Sequence, residues 1–133
     1  MSSDKLGFTI MPYRVPYADT DQMGVVYYAN YLVYFERTRN EVLRELDYPY
    51  TKIEEEGMIL PVIEAHCDYK RPAKYDDLLE FHAWFEEEGK TRVRARCQVK
   101  RGDDLLAEGY TIHACLSAET MRPMRLPNIF KTA

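Results

Sequence analysis

Asp19 and Asp21 stand two positions apart in the stretch YADTDQMG, just ahead of the tyrosine-rich segment VVYYANYLVYFERTRNEVL. The first turn of a helix presents unpaired backbone N–H groups and a partial positive charge. A carboxylate held beside such a turn has the parts for acyl chemistry. It attacks an acyl carbon or activates a water, and a free amide stabilises the oxyanion that develops. One such donor is worth on the order of 10²–10³ in rate. The plainer alternative is that both aspartates satisfy amides in a turn or cap a helix, and a bare D-x-D does not choose between the two. Asp19 reads as a brace for the loop, because two ionised carboxylates meeting at one site repel. Gly24 can take a positive φ that shapes the turn, and it also lets a substrate approach backbone closely. Asn30 is placed to cap or orient the helix start.

The elements that must position these residues follow from periodicity. FTIMPYRVPYAD is extended in character, with Phe8 and Ile10 and then Tyr13, Val15 and Tyr17 on alternate positions; Pro12 and Pro16 suit an edge or irregular strand. Residues 29–46 change to a helical period, with Tyr31, Leu32, Phe35, Val42, Leu43 and Leu46 on one face and charged residues opposite. That helix would be about 27 Å long, and DYPY stops it at Pro49. Beyond Gly57 the chain reads as four strands. The first, ILPVIEAHCDYKRP, ends at Pro72. LLEFHAWFEE and TRVRARCQVKR alternate, with Leu79, Phe81, Ala83 and Phe85, then Val93, Ala95, Cys97 and Val99, facing inward. RGDD supplies a hairpin turn into LLAEGYTIHACLSA, which is apolar enough to be interior. A strand, a long helix and four strands in meander order predict an α+β domain spanning residues 1–133, an antiparallel sheet packed on one helix. One helix covers one face, so exposed edges favour pairing with a second copy.

The longer string YADTDQMGVVYYANYLVYFERTRNEVL, with weaker echoes in YKRPAKYDDLLEF and RPMRLP, resembles the hotdog-fold acyl-CoA thioesterases of the 4-hydroxybenzoyl-CoA thioesterase type, nearest the branch containing the Tol-Pal-associated acyl-CoA thioesterase. The resemblance implies a curved antiparallel β-sheet wrapped around one long central α-helix, in homodimers made by joining sheets or in homotetramers. It implies hydrolysis of an acyl-CoA to a carboxylic acid and free coenzyme A, without metal or redox cofactor. Asp21 falls on the family's catalytic carboxylate, as nucleophile or general base. Tyr28, seven positions on, falls on the residue whose backbone N–H polarises the thioester carbonyl. The bacterial branch often has histidine there, and a side-chain role for that histidine does not carry over, whereas any residue but proline supplies the amide. Tyr17 matches a tyrosine beside the catalytic Asp, as packing or hydrogen-bonding support. Arg71 and Lys74, in KRPAK at a strand end, are candidates for holding the coenzyme A phosphates. Another hotdog branch uses a helix-borne glutamate as base, which makes Glu36 a minor alternative, although that branch's His-Gly-Gly signature is absent here.

Composition bounds the remaining choices. Net charge is −4 with a pI near 5.4, so the molecule as a whole does not attract nucleic acid. No apolar run reaches the roughly 20 residues of a membrane span, and the polar start MSSDKLG is no secretory signal, which places the chain in the cytoplasm. Cys67, Cys97 and Cys115 are odd in number and far apart, as reduced packed thiols would be. His66–Cys67 and His113–Ala114–Cys115 lack metal-ligand spacing. Arg92, Arg94 and Arg96 read as a solvated face, and the two glutamate runs as exposed charge. Two other functions compete: a non-catalytic module binding acyl-CoA or acyl-carrier protein, which would not need Asp21, and a hydratase or dehydratase, which would need a histidine in the loop-to-helix segment.

Overall fold

A computed structural model describes residues 5–130. Strand β1 (Leu6–Arg14) leads through a short 3-10 turn (Tyr17–Asp19) into the long helix α1 (Asn30–Glu45) and a short helix α2 (Tyr50–Glu55). Then come β2 (Met58–Ile59), β3 (Val62–Tyr69), β4 (Leu78–Glu87), β5 (Arg92–Arg101), β6 (Asp104–Ala114), β7 (Leu116–Ser117) and a 3-10 turn at Asn128–Phe130. Five strands form one antiparallel sheet in the order β1-β4-β5-β6-β3, and β2 pairs with β7 separately. The α+β expectation holds: α1 packs on the inner face of this sheet.

Alternation in β4 and β5 is as the sequence predicts. Leu79, Phe81, Ala83 and Phe85 face inward with Val93, Ala95, Cys97 and Val99, and all eight are buried. Burying each large one contributes roughly 1.5–3 kcal/mol. Arg101 pairs with Asp104 across the RGDD turn. Pro12 lies in β1, which pairs only with β4 and so forms a sheet edge, where its missing N–H is tolerated.

Four features differ from the expectations or were left open by them. First, β3 lies beyond β6 instead of beside β4, so only β4-β5-β6 is a meander. Second, the expected strand ending at Pro72 is divided: β2 stops at Ile59, Pro61 interrupts, and β3 begins at Val62. Third, β1 changes register between Leu6 and Thr9, which turns Phe8 and Ile10 outward while Thr9, Met11 and Tyr13 face the helix. Gly7 sits at that irregularity with φ +69°, and a Cβ there would come within 2.7 Å of Val42 Cγ1, so the strand approaches α1 as only glycine permits. Fourth, the buried face of α1 includes Tyr34 and Thr38, while Leu32 is 40% exposed. Both added residues carry hydroxyls that find partners: Thr38 donates to the Tyr34 carbonyl at 2.8 Å, and Tyr34 reaches back to Asp19. Pro49 ends the helical run as expected, after Asp47 takes a left-handed φ of 58°, but α2 then follows with Ile53 as its buried residue. Six residues are too few to show a period.

Candidate active site

The loop between β1 and α1 is built around one carboxylate. Asp19 Oδ2 accepts hydrogen bonds from the Tyr13 hydroxyl at 2.6 Å and the Tyr34 hydroxyl at 2.7 Å. Its carbonyl accepts the Tyr27 N–H at 2.9 Å and the Asn30 side-chain amide at 2.9 Å. Strand, loop and helix thus converge on Asp19, which is the brace the sequence suggested. Burial and the Asp19 carboxylate push the Tyr13 phenol up to about 12 and the Tyr34 phenol higher, so both stay protonated as donors.

Asp21 sits differently. Its N–H donates to the Val25 carbonyl at 2.9 Å, and its own carbonyl accepts the Gly24 N–H at 3.0 Å, inside a tight turn closed by the Thr20–Val26 bridge. Gly24 has φ +79° with open space where a Cβ would stand, so the turn's backbone rather than a close contact demands glycine. Asp21 Oδ1 accepts the Met23 N–H at 2.8 Å; among the described residues Oδ2 takes no hydrogen bond, and the side chain is half-exposed. One oxygen orients the group and the other remains available.

At the start of α1 the chain tightens. The Asn30, Tyr31 and Leu32 amides donate to the Tyr27, Tyr28 and Ala29 carbonyls, and no side chain caps the helix. Among the described residues the Tyr28 and Ala29 amides donate to nothing, as expected ahead of a first helical turn. Tyr28 lines a 270 Å³ cleft with Val26, Tyr31, Tyr69, Arg71 and Pro72. The cleft wall is pinned by Val26 N–H to the Ala73 carbonyl at 2.8 Å, Ala73 N–H to the Tyr31 hydroxyl at 3.3 Å, and the Tyr69 hydroxyl to the Tyr28 carbonyl at 3.0 Å.

The structure therefore brings Tyr28 and Arg71 to one cleft. Lys74 is exposed beside the Asp21 turn, across the Val25–Lys74 bridge, and Asp21 itself lies on the loop outside the cleft's lining residues. Asn30 already uses its side-chain amide on Asp19, which makes it a tie between loop and helix. Tyr17 is not core: it is 76% exposed, with its ring edge-on to Tyr75 at 5.7 Å. Sequence reasoning passed over Tyr13, Tyr34 and Tyr69. The count of eleven tyrosines was the available signal, since a buried phenol needs a partner for its hydroxyl.

Other candidates resolve as structural. His113 is buried with both ring nitrogens engaged, on the Leu60 carbonyl and the Thr111 hydroxyl, each at 2.8 Å. Among the described residues no three His, Cys, Asp or Glu side chains gather to hold a metal ion. Arg94 and Arg96 pair with Glu88 at 3.1 Å and Glu86 at 2.8 Å on the outer sheet face, so those glutamates are partners to the arginines instead of idle surface charge.

A family model described as the thioesterase superfamily matches residues 23–108, well over half of the chain. The chain belongs to the thioesterase superfamily, and thioester hydrolysis is its activity. An acyl-CoA thioesterase YbgC of Haemophilus influenzae is 36% identical over 128 residues, covering 96% of this chain and 93% of that protein. A DHNA-CoA thioesterase structure from Staphylococcus aureus superposes with a TM-score of 0.83 at 29% identity, covering 90% of this chain and 80% of that one. The 4-hydroxybenzoyl-CoA thioesterase of Pseudomonas sp. strain CBS-3, at 21% identity over 93% of this chain and 96% of that one, shares the fold with a TM-score of 0.80. The hotdog architecture of this superfamily is thus the one seen here. The matched segment contains Tyr28, Arg71 and Lys74 but starts two residues after Asp21. No helix among the described residues is long and apolar enough to cross a membrane.

Proposed function

We propose that the chain hydrolyses acyl-CoA thioesters to a carboxylic acid and free coenzyme A, with Asp21 and the Tyr28 amide as the reacting machinery. In one form Asp21 attacks the thioester carbonyl, coenzyme A leaves as thiolate, and water then opens the acyl–aspartyl anhydride. In the other, Asp21 takes a proton from a water that attacks directly, and the departing thiolate receives the proton. Both need an N–H at the developing oxyanion, which the Tyr28 amide supplies. The observation that carries the reading is the unpaired Asp21 oxygen on the short loop that runs into the unpaired amides at the start of α1. Gly24 shapes the turn of that loop through its positive φ, and Asn30 fixes its far end. Tyr17 flanks the opening, and Arg71 and Lys74 would hold the coenzyme A phosphates.

The working unit is a homodimer or homotetramer of a single domain, residues 1–133, in the cytoplasm, of the branch that contains the Tol-Pal-associated acyl-CoA thioesterase. What supports the assembly is β3: a sheet edge with most side chains exposed, Val62 and Ile63 among them, next to exposed Leu32 and Val33 of α1.

Thiol release from a panel of acyl-CoAs tests the proposal. Asp21→Asn should lower kcat/KM on the order of 10³–10⁴ without unfolding the protein; equal turnover by both proteins removes Asp21 from the reaction. Acyl label trapped on Asp21 under single turnover selects the nucleophilic form, and its absence the general-base form.

A further inference from the structure

One peptide at the head of α1 is held from the sheet. The Tyr28 carbonyl accepts the Tyr31 N–H at 3.3 Å, a long bond within the opening turn, and the Tyr69 hydroxyl at the shorter 3.0 Å. Tyr69 is the last residue of β3 and pairs with Ala107 of β6. The next two amides, of Lys70 and Arg71, both donate to the Leu106 carbonyl, at 2.8 and 3.0 Å, so the backbone that carries the phenol is fixed. Its ring stands edge-on to the buried Tyr31 at 5.2 Å and to Tyr28 at 6.4 Å. Partial burial, then the Cys67 thiol, push the Tyr69 phenol up to about 12, so it keeps its proton and acts as a donor.

The other side of that peptide carries an N–H. In a trans peptide the N–H points away from the C=O, and here it belongs to Ala29, whose φ of −67° and ψ of −22° are already helical. The Ala29 amide therefore lies along the helix axis, next to the Tyr28 amide, and among the described residues it donates to nothing. A hydrogen bond accepted by the carbonyl fixes the plane of the peptide and polarises its N–H, strengthening it as a donor by about 10–30%.

We infer that Tyr69 is a positioning residue for thioester cleavage: its hydroxyl holds the Tyr28–Ala29 peptide so that the Ala29 amide joins the Tyr28 amide in stabilising the oxyanion. Tyr69 acts through this peptide and not on the substrate. The inference deepens the thioesterase reading and rests on it for the place of the thioester carbonyl.

Tyr69→Phe deletes the hydroxyl and keeps the ring contacts. It should lower kcat about 3- to 10-fold, the range of one hydrogen bond, with KM and the urea midpoint unchanged. Two non-cleavable coenzyme A analogues read the donor directly: a ketone with a methylene in place of the sulfur keeps the carbonyl, and a thioether lacks it. Wild type should bind the ketone more tightly than the thioether. Tyr69→Phe should cut that preference by about the factor it takes from kcat, and the carbonyl stretch of the bound ketone should move back toward its solution frequency. Replacing Ala29 with lactic acid puts an ester in place of the amide and removes the donor itself. The loss should be at least as large, and Tyr69→Phe should add less than its own factor on top of it. An unchanged kcat in Tyr69→Phe, a loss confined to KM, or full additivity with the Ala29 ester overturns the inference. Should the ester protein not fold, a ketone preference and carbonyl stretch that Tyr69→Phe leaves unmoved overturn it equally. The analogues separate the two readings. A Tyr69-dependent ketone preference with no cleavage of any thioester sinks the hydrolase and keeps the positioning role, whereas cleavage indifferent to Tyr69→Phe does the reverse.

Discussion

Residues 17–20 and residues 21–28 are halves of one loop with opposite fates. In the first half Asp19 is tied on two sides, its Oδ2 by two phenols from β1 and α1 and its carbonyl by a backbone amide and an asparagine. In the second, the Asp21 carboxylate holds one amide and keeps an oxygen open, and the Tyr28 N–H keeps its proton undirected. The difference lies in reach. Asp19 faces inward, where β1 and α1 both present tyrosines, while Asp21 projects from a turn. A carboxylate bonded to side chains from two elements fixes geometry; one held by a single amide on a turn is left for chemistry.

The comparison breaks most directly at its two aspartates. Asp21→Asn should remove nearly all turnover, on the order of 10³-fold or more, and leave the urea midpoint unchanged. Asp19→Ala should do the converse. It leaves the Tyr13 and Tyr34 hydroxyls without their acceptor, the latter fully buried, at about 1–3 kcal/mol for each buried orphan. A stability loss near 3 kcal/mol by urea denaturation, with residual hydrolysis at low temperature, would separate brace from reagent. If Asp19→Ala matched wild type in stability, the brace would not exist.

A second fully engaged group is His113 on β6, buried with both ring nitrogens bonded. Burial, then the Arg39 charge, lowers the His113 pKa from the ordinary 6.5 to about 4. Between those values the unfolded chain binds a proton that the folded chain refuses. The stability linked to His113 is therefore complete above pH 6.5 and is lost as pH falls toward 4, on the order of 3 kcal/mol at about 1.4 kcal/mol per decade of proton affinity. Urea midpoints recorded across that window should fall for wild type and flatten for His113→Gln. Parallel curves would mean that other groups carry the acid loss.

How much of this was legible beforehand depends on whether a period or a partner decides the matter. The inward faces of β4 and β5 and the body of α1 followed from alternation, because burial in a sheet and along a helix imposes period. The place of β3 did not, since the residues 62–69 look the same beside β4 or beside β6, and only long-range pairing chooses. Which side of β1 faces the helix was left open for a local reason: the irregularity at Gly7 sets it, turning Phe8 and Ile10 outward. At the site, Asp21 and Tyr28 came from a motif, and the bracing role of Asp19 from charge repulsion. Tyr13 and Tyr34 were invisible as its partners because they arrive from elements that meet only in the folded state. Leu32 was misassigned for the converse reason: its helical position is compatible with the core, but Tyr34 and Thr38 take that place once their hydroxyls are satisfied.

The smallest expected effect is the sharpest test of the open half of the loop. Tyr28 offers both an amide and a 62% exposed side chain, and the proposed chemistry uses the amide alone. Tyr28→Phe keeps the N–H, the ring and its edge contact with Tyr69 and deletes the hydroxyl. Its kcat should therefore stay well inside the roughly 10²-fold that losing an oxyanion donor costs. A loss of that size in Tyr28→Phe, with the fold intact by circular dichroism, would transfer the donor role from backbone to phenol. The open half would then owe its chemistry to a side chain that evolution can exchange, and a histidine in the same position would no longer be neutral.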